Sequence, residues 1–258
     1  MKRAIAIGCH PDDIEFNMAG TLLLLQREGY EIHYMNLADG SLGGEQYGRE
    51  ELAAIRRDEA IAAATQVGAI WHRSICSDMA VFYNVELLGE LLPVIREVSP
   101  EIILTHGPYD YMEDHINTGR LAVGAAFARG MGNAITARYA APIQSPVAVY
   151  HCASHAFGDM LNRPVKMTLF TDITATLKTK KEMLQCHRSQ KEWLDITQGM
   201  DAYLDDMVFR AEFYGQESGE FRYAEGWNRH NPLGLSAPDF DPLTAVLSPK
   251  GLIRRSGS

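Results

Sequence analysis

Two short segments of this 258-residue chain gather residues that can hold a metal ion and move a proton. The first is Gly8-Cys9-His10-Pro11-Asp12-Asp13-Ile14-Glu15, which puts one imidazole and two adjacent carboxylates into a turn. Imidazole nitrogen and carboxylate oxygen are ordinary zinc ligands, and a catalytic zinc commonly takes three protein ligands and keeps a position for water. Pro11 fixes the backbone direction after His10. Adjacent acids in a non-helical turn point different ways, so one of Asp12 and Asp13 can bind metal while the other takes a proton from water. The same residues also allow a plainer arrangement, with an aspartate capping the next helix and His10 as a polar group at a strand end. The second segment runs from Thr105 through His106, Tyr109, Asp110, Tyr111, Met112, Glu113 and Asp114 to His115. His115 can supply a further ligand with Asp114 as a supporting carboxylate. Glu113 and Asp114 equally suit a helix N-terminus.

Groups this far apart in sequence meet only if a fold brings them together. Arg3 to Gly8 is a short apolar run ending in a turn, which suits a buried strand. A helical segment follows with Met18, Leu22, Leu23 and Leu25, and these side chains read as core. Glu31 to Leu37 is strand-like and closes at Asp39-Gly40. Arg49 to Gln66, rich in Ala, Glu and Arg, predicts a helix ended by Gly68. A short apolar stretch spans Ile70 to Ile75, and Val85 to Val98 reads as a helix stopped by Ser99-Pro100. Glu101 to His106 is a further buried strand, and His115 to Gly130 a further helix. This alternation predicts an α/β fold, a mostly parallel sheet flanked by helices, Rossmann-like. Reacting groups in such sheets collect at the carboxyl ends of the strands. Both segments rich in ligands follow strands.

The second half is less regular. Pro146 to Tyr150 and Val165 to Phe170 read as strands, and Ile173 to Ser189 as a helix. From Gly215 the chain is rich in Gly, Pro, Asn and aromatics, and residues 250–258 read as an unstructured tail. No repeat or low-complexity linker interrupts the chain, so one domain over 1–258 is expected.

Composition narrows the partners. The net charge is -9, which disfavours nucleic acid, because phosphate binding needs a basic surface. No apolar run reaches the roughly 20 residues of a membrane helix, and no polybasic run suggests an anionic bilayer. The four cysteines, Cys9, Cys76, Cys152 and Cys186, are scattered without a C-x-x-C pair, as suits free thiols in a reducing cytoplasm. A small-molecule substrate is the partner that remains, and association into a homo-oligomer is compatible with such a chain.

The two segments together resemble the LmbE-like, or PIG-L, family of zinc-dependent N-deacetylases. The family's first motif, His-Pro-Asp-Asp followed by an acid and a Gly-rich helix start, is matched by His10-Pro11-Asp12-Asp13 with Glu15 and Gly20. Its second, His-Pro-Asp-His, is matched by Met112-Glu113-Asp114-His115. Arg56-Arg57-Asp58-Glu59-Ala60 is similar to its Arg-x-x-Glu-Ala helix, and His187-Arg188-Ser189-Gln190 to its His-x-Ser-Gln segment. The resemblance implies Zn2+ held by His10, Asp13 and His115. It further implies Asp12 as general base on a water that attacks an acetamide carbonyl, and substrates of the N-acetylglucosamine-conjugate kind. It also suggests substrate contacts for Arg56, Asp78 and Gly43, the last in the loop Asp39-Gly40-Ser41-Leu42-Gly43-Gly44. Each of these has a plain alternative: a helix-surface ion pair for Arg56, loop shaping for Asp78, an ordinary turn for Gly43.

Met112 departs from the family pattern, which has histidine there, and a thioether neither donates nor accepts a proton usefully. Candidates to take over are His106, Tyr109, Tyr111, His151, His155 and His230. Two other readings stay open: an amidase for a larger acyl or thiol conjugate, and a metal-binding protein with weakened catalysis. A dinucleotide oxidoreductase is disfavoured, because the acidic turn would repel a pyrophosphate. Tyr223 and Trp227 could stack on a sugar, but aromatics near a chain end more often pack it onto the core. Cys9 reads as core, its side chain directed away from that of His10 if the strand continues.

Overall fold

A computed structural model describes residues 1–198 and 203–257. One mixed sheet of eight strands runs through it in the order β3-β2-β1-β4-β5-β7-β6-β8. The first five positions are β3 (Ile70–His72), β2 (Glu31–Asn36), β1 (Arg3–Gly8), β4 (Ile102–Thr105) and β5 (Ala148–Cys152), all parallel. The remainder, β7 (Ala224–Arg229), β6 (Leu169–Asp172) and β8 (Ile253–Arg255), is antiparallel. The α/β, mostly parallel, Rossmann-like expectation therefore holds.

Strand alternation explains the two faces. Ala4, Ala6, Ile32, Tyr34, Ile102 and Leu104 pack with α2 (Ala19–Arg27) and α3 (Arg49–Gln66) on one side. Ile5, Ile7, Met35 and Ile103 pack with α4 (Val85–Val98) and α5 (Glu113–Ala128) on the other. Strands buried on both faces must be apolar at nearly every position, which is why they read as continuous apolar runs. Strand order reverses between β1 and β4, which opens a crevice at their carboxyl ends. His10 follows β1 and His106 follows β4, so both ligand-rich segments empty into that crevice.

The second half differs from its sequence reading in three places. The helix expected over Ile173 to Ser189 is two, α6 (Leu177–Leu184) and α7 (Arg188–Gln198). The break at Cys186-His187 buries the His187 imidazole completely, 3.3 Å from Glu15 Oε2. The stretch after Gly215 supplies β7 to the sheet interior, because it follows α8 (Tyr203–Ser218) and returns under the core. The tail expected over 250–258 is a correction. Residues 253–255 form β8 and pair with β6, giving that strand a second neighbour. Arg255 adds an ion pair to Asp241 at 2.9 Å. The packing assignments hold. Met18 is buried, Tyr223 lies against the core, and Trp227 is fully buried with Nε1 donating to Thr21 and Thr171 hydroxyls.

Glu225 on β7 ties this half to the first. One carboxylate oxygen accepts from Gly20 N at 2.8 Å and faces Lys180 Nζ at 2.6 Å; the other accepts from Thr21 N at 2.7 Å. The two free amides belong to the N-terminus of α2, where negative charge is stabilised. Gly20 is forced, because a Cβ there would sit 2.6 Å from Ile173 Cγ2 and 2.8 Å from Glu225 Oε1. Glu225→Ala leaves Lys180 buried without its carboxylate, and about 3–5 kcal/mol of stability should go with it. Urea unfolding should show that drop, whereas Asp58→Ala, at an exposed pair with Arg57, should change it by less than about 1 kcal/mol.

Candidate active site

The turn after β1 is strained and heavily braced. Asp12 sits at φ 110°, a region that costs a residue with a Cβ about 1–3 kcal/mol. Three contacts hold it there. His10 N donates to Asp13 Oδ2 at 2.7 Å, Asn36 Nδ2 to His10 O at 2.6 Å, and Arg56 Nη2 to Pro11 O. Gly8 must lack a side chain, since a Cβ would lie 2.9 Å from Ile14 Cγ1 and 3.0 Å from Asn36 Nδ2. The turn opens α1 (Asp13–Asn17), but Asp12 makes no capping hydrogen bond with its side chain. Its Oδ2 instead accepts from Tyr203 Oη at 2.7 Å and lies 3.6 Å from Arg56 Nη2. The capping alternative therefore does not describe this aspartate.

Asp13 Oδ2 is the centre of a buried cluster. His10 Nδ1 lies 3.5 Å from it, His106 Nε2 3.2 Å and His115 Nε2 3.4 Å. In two of the three, His10 and His115, the outer nitrogen is held by its own carboxylate. Asp110 Oδ1 is 3.2 Å from His115 Nδ1, and Asp114 Oδ2 is 3.3 Å from His10 Nε2. The supporting role given to Asp114 thus falls on His10 across the crevice, while Asp110 serves His115. Helical geometry explains this: Asp114 and His115 are successive residues of α5 and point about 100° apart. His106 differs from the other two. Cys9 N–H donates to its Nε2 at 3.0 Å, which occupies that lone pair, and its ring stacks on His115 at 4.1 Å.

Among the described residues, Asp13, His106 and His115 form one group with metal-binding atoms close together, and Cys9, His10 and Asp13 another. Asp13 is common to both. Two imidazoles with their far nitrogens fixed by carboxylates, facing a buried aspartate, form a donor set suited to a divalent ion such as zinc. Cys9 is buried with its Sγ 3.6 Å from His10 Nε2. Strand alternation does not separate the two, because β1 ends at Gly8. Burial pushes the Asp13 carboxyl upward, but His115 and His106 beside it hold it well below the usual carboxylate range. Burial likewise opposes charge on His115, yet Asp13 and Asp110 raise it to about 10. Asp12 goes the other way: burial raises it, Arg56 opposes the rise, and Asp13 adds to it.

A cavity of about 610 Å3 opens over this cluster, reached by His10, Asp12, Asp13, Asp114 and His115. Arg56, Asp78 and Gly43 all line it. Arg56 is buried rather than paired on the helix surface, and its Nη1 donates to Gly40 O at 3.3 Å. Asp78 shapes the loop by accepting from Gly40 N at 2.7 Å and Leu42 N at 3.0 Å. A Cβ at Gly43 would fall 2.9 Å from Arg56 Nη1 and 3.0 Å from Gln190 Oε1, so a side chain there would push against the ends of both polar groups. Among the described residues, Gln190 Oε1 is buried without a hydrogen-bond partner. The other two motifs clasp each other: Glu59 accepts from Ser189 N at 2.8 Å and from Ser189 Oγ at 2.7 Å.

Met112 lines the cavity too. Of the six groups that could stand in for a histidine there, Tyr111 and His155 share the cavity wall and His106 lies beneath the cluster. Tyr109, His151 and His230 line a separate cavity of about 260 Å3. Burial and Arg210 lower His155 to about 4, so it is neutral at pH 7. Sequence reading passed over Asp110 as a supporting carboxylate. It also passed over Trp193, Tyr203, Asp206 and Arg210, all in the cavity wall. Only the spacing of Asp110, five residues before His115, offered a signal.

Comparison with known proteins follows this geometry. Residues 5–126 match the family described as PIG-L, GlcNAc-PI de-N-acetylase. The chain is 31% identical over 235 residues to diacetylchitobiose deacetylase of Thermococcus kodakarensis, covering 88% of this chain and 82% of that protein. It is 28% identical over 201 residues to 4-oxalmesaconate hydratase of Pseudomonas putida, covering 74% of each. Among solved structures, N,N'-diacetylchitobiose deacetylase from Pyrococcus horikoshii superposes with a TM-score of 0.73 at 26% identity, covering 94% of this chain and 88% of that one.

The cluster predicts its own metal chemistry. Asp110→Asn should weaken divalent-ion affinity by about 10- to 100-fold, and His115→Ala should abolish stoichiometric binding. With His115 protonated below about 10 in the metal-free protein, ligation must expel its proton. Affinity should therefore rise with pH across the neutral range, by up to about tenfold per unit for that one proton. Calorimetry in two buffers of different ionisation enthalpy counts the protons, and a count of zero contradicts this account.

Proposed function

Because the chain belongs to the PIG-L family, we propose that it is a zinc-dependent hydrolase that removes the N-acetyl group of an N-acetylglucosamine-type sugar conjugate. The observation that carries this reading is the pairing on one turn of a cluster suited to a metal, around Asp13, with a separate carboxylate, Asp12, beside the same cavity. His10, Asp13 and His115 would hold the ion, with Asp114 and Asp110 fixing the outer nitrogens of the two histidines. Bound there, zinc supplies a Lewis acid that polarises a carbonyl and acidifies water.

The chain's own residues do the rest. Asp12, buried beside Asp13, takes the proton of the attacking water, and its upward shift brings its basicity nearer to that task. Arg56 opposes that shift and holds the turn through Pro11 O. Gly43, Arg56 and Gln190 offer a close, partly unpaired polar edge for sugar hydroxyls. Phe16, Leu42, Met79, Met112, Tyr111 and Trp193 give the cavity apolar walls that limit water around the amide. Asp12 gives that proton to the departing nitrogen as the C–N bond breaks, and acetate and the free amine leave as products.

A second reading keeps the site and changes the acyl group. A cavity of about 610 Å3 with Met79 and Met112 in its wall has room for an amide larger than acetamide. The deciding experiment is acetate release from a panel of N-acetylglucosamine derivatives by protein of known metal content. Release lost on chelation and restored by zinc supports deacetylation, and Asp12→Asn should then lose about 10²- to 10⁴-fold in kcat while keeping its metal. An Asp12→Asn enzyme close to wild type removes Asp12 as base. Full metal occupancy with no acetate, but turnover of longer N-acyl glucosamines, selects the second reading. Turnover only of an unsaturated carboxylate, as the hydratase relative's name would suggest, rejects both.

A further inference from the structure

Tyr203 opens α8, 191 residues beyond Asp12, yet its hydroxyl donates to Asp12 Oδ2 at 2.7 Å. The side chain is 1% exposed and its ring packs edge-on against Phe16 at 5.1 Å, among Leu184 and Met207. Packing of that kind allows the phenol ring little freedom, so the hydroxyl is delivered to one place. Arg56 Nη2 approaches the same oxygen at 3.6 Å. Two donors therefore converge on Oδ2, and Oδ1 has no hydrogen bond among the described residues. Both Asp12 and Tyr203 line the main cavity.

A phenol whose only job was to fill space would be served as well by phenylalanine. A hydroxyl in so dry a place is retained at a desolvation cost that its one acceptor must offset. That acceptor is the carboxylate beside the metal-ligand cluster. Burial and the charge of Asp12 push the phenol well above its ordinary range, so it stays a donor throughout the working pH range.

We propose that Tyr203 is a positioning residue for the reaction, pinning Oδ2 of Asp12 so that Oδ1 is presented to the attacking water. The proposal rests on the reading of Asp12 as general base. Tyr203 acts through Asp12, by removing the rotational freedom of the carboxylate. Misplacing a catalytic group by a fraction of a bond length is costly, since proton transfer needs hydrogen-bond reach.

Tyr203→Phe keeps the ring and deletes only the hydroxyl. In zinc-loaded enzyme, kcat should fall by about 10- to 100-fold with KM within about twofold and metal content unchanged. In an Asp12→Asn background the same substitution should cost nothing further, because the group it positions is gone. A wild-type kcat, an effect confined to KM, or an equal loss in both backgrounds would overturn the proposal. Crystal structures give a check independent of substrate: Asp12 rotated or split between rotamers in Tyr203→Phe supports positioning, and an unmoved single conformer refutes it. If Asp12→Asn alone stays near wild type, the base assignment fails and this proposal falls with it. If Asp12→Asn is inactive and Tyr203→Phe keeps a wild-type kcat, only the positioning role is lost.

Discussion

A residue with a Cβ held at φ 110° needs neighbours that make every other conformation worse, and Asp12 has them on all sides. Asn36 at the end of β2 fixes the carbonyl before the turn, Arg56 from α3 fixes the carbonyl of Pro11, and Asp13 folds back onto the amide of His10. These groups come from the first strand, the second strand and the long helix after it. The shape of the turn therefore depends on the assembled sheet and helix. The strain in turn separates two neighbouring acids: Asp13 faces the histidines, and Asp12 faces Arg56 and Tyr203. A relaxed helical start would leave them on neighbouring positions of one helix surface, with no such division.

Charge balance explains why so many acids and histidines can be buried together. Each histidine of the cluster has a carboxylate on its outer nitrogen or an amide proton on its inner one. Behind the turn, Glu15 is enclosed by Tyr34 at 3.0 Å and His187 at 3.3 Å. On the far side Glu225 meets Lys180 and two helix amides. Buried ions of one sign without such partners would neutralise instead of staying charged. The cost of this arrangement is that single deletions strand a charge, so structural and catalytic losses are hard to separate without conservative variants.

The alternation of apolar runs and helices made the first half legible. Strands buried on both faces have to be apolar, and the strand-order switch has to lie where β1 and β4 meet. His10, Asp13 and His115 could be placed near one another on that basis. Their pairing to particular carboxylates could not, because Asp110 and Asp114 differ only in which way a loop and a helix turn direct them. Tyr203, Asp206 and Arg210 were illegible for another reason. They reach the cavity by tertiary packing of helices whose own sequences show only ordinary amphipathic spacing. The tail was misread because its polar composition hides the one property that matters, a backbone able to pair with β6.

The residues around the cavity come from two parts of the chain. The matched family segment, residues 5–126, contains His10, Asp12, Asp13, Arg56, Asp78, Asp110, Asp114 and His115. The cavity wall formed by His155, Gln190, Trp193, Tyr203, Asp206 and Arg210 lies wholly outside it. Relatives whose names denote an amide hydrolase and a hydratase both match most of this chain, so the shared fold does not by itself fix the reaction. What distinguishes the two is where the electrophilic carbon is held and which groups stand on its far side. The cavity wall draws on both halves of the chain: the later segments, Leu42, Gly43 and Arg56, and Met112, where a histidine of the family pattern has become an apolar side chain. A thioether there excludes water and yields to shape more readily than it exchanges protons. Met112 therefore shapes the cavity over the Asp13 cluster and leaves proton transfer to other groups.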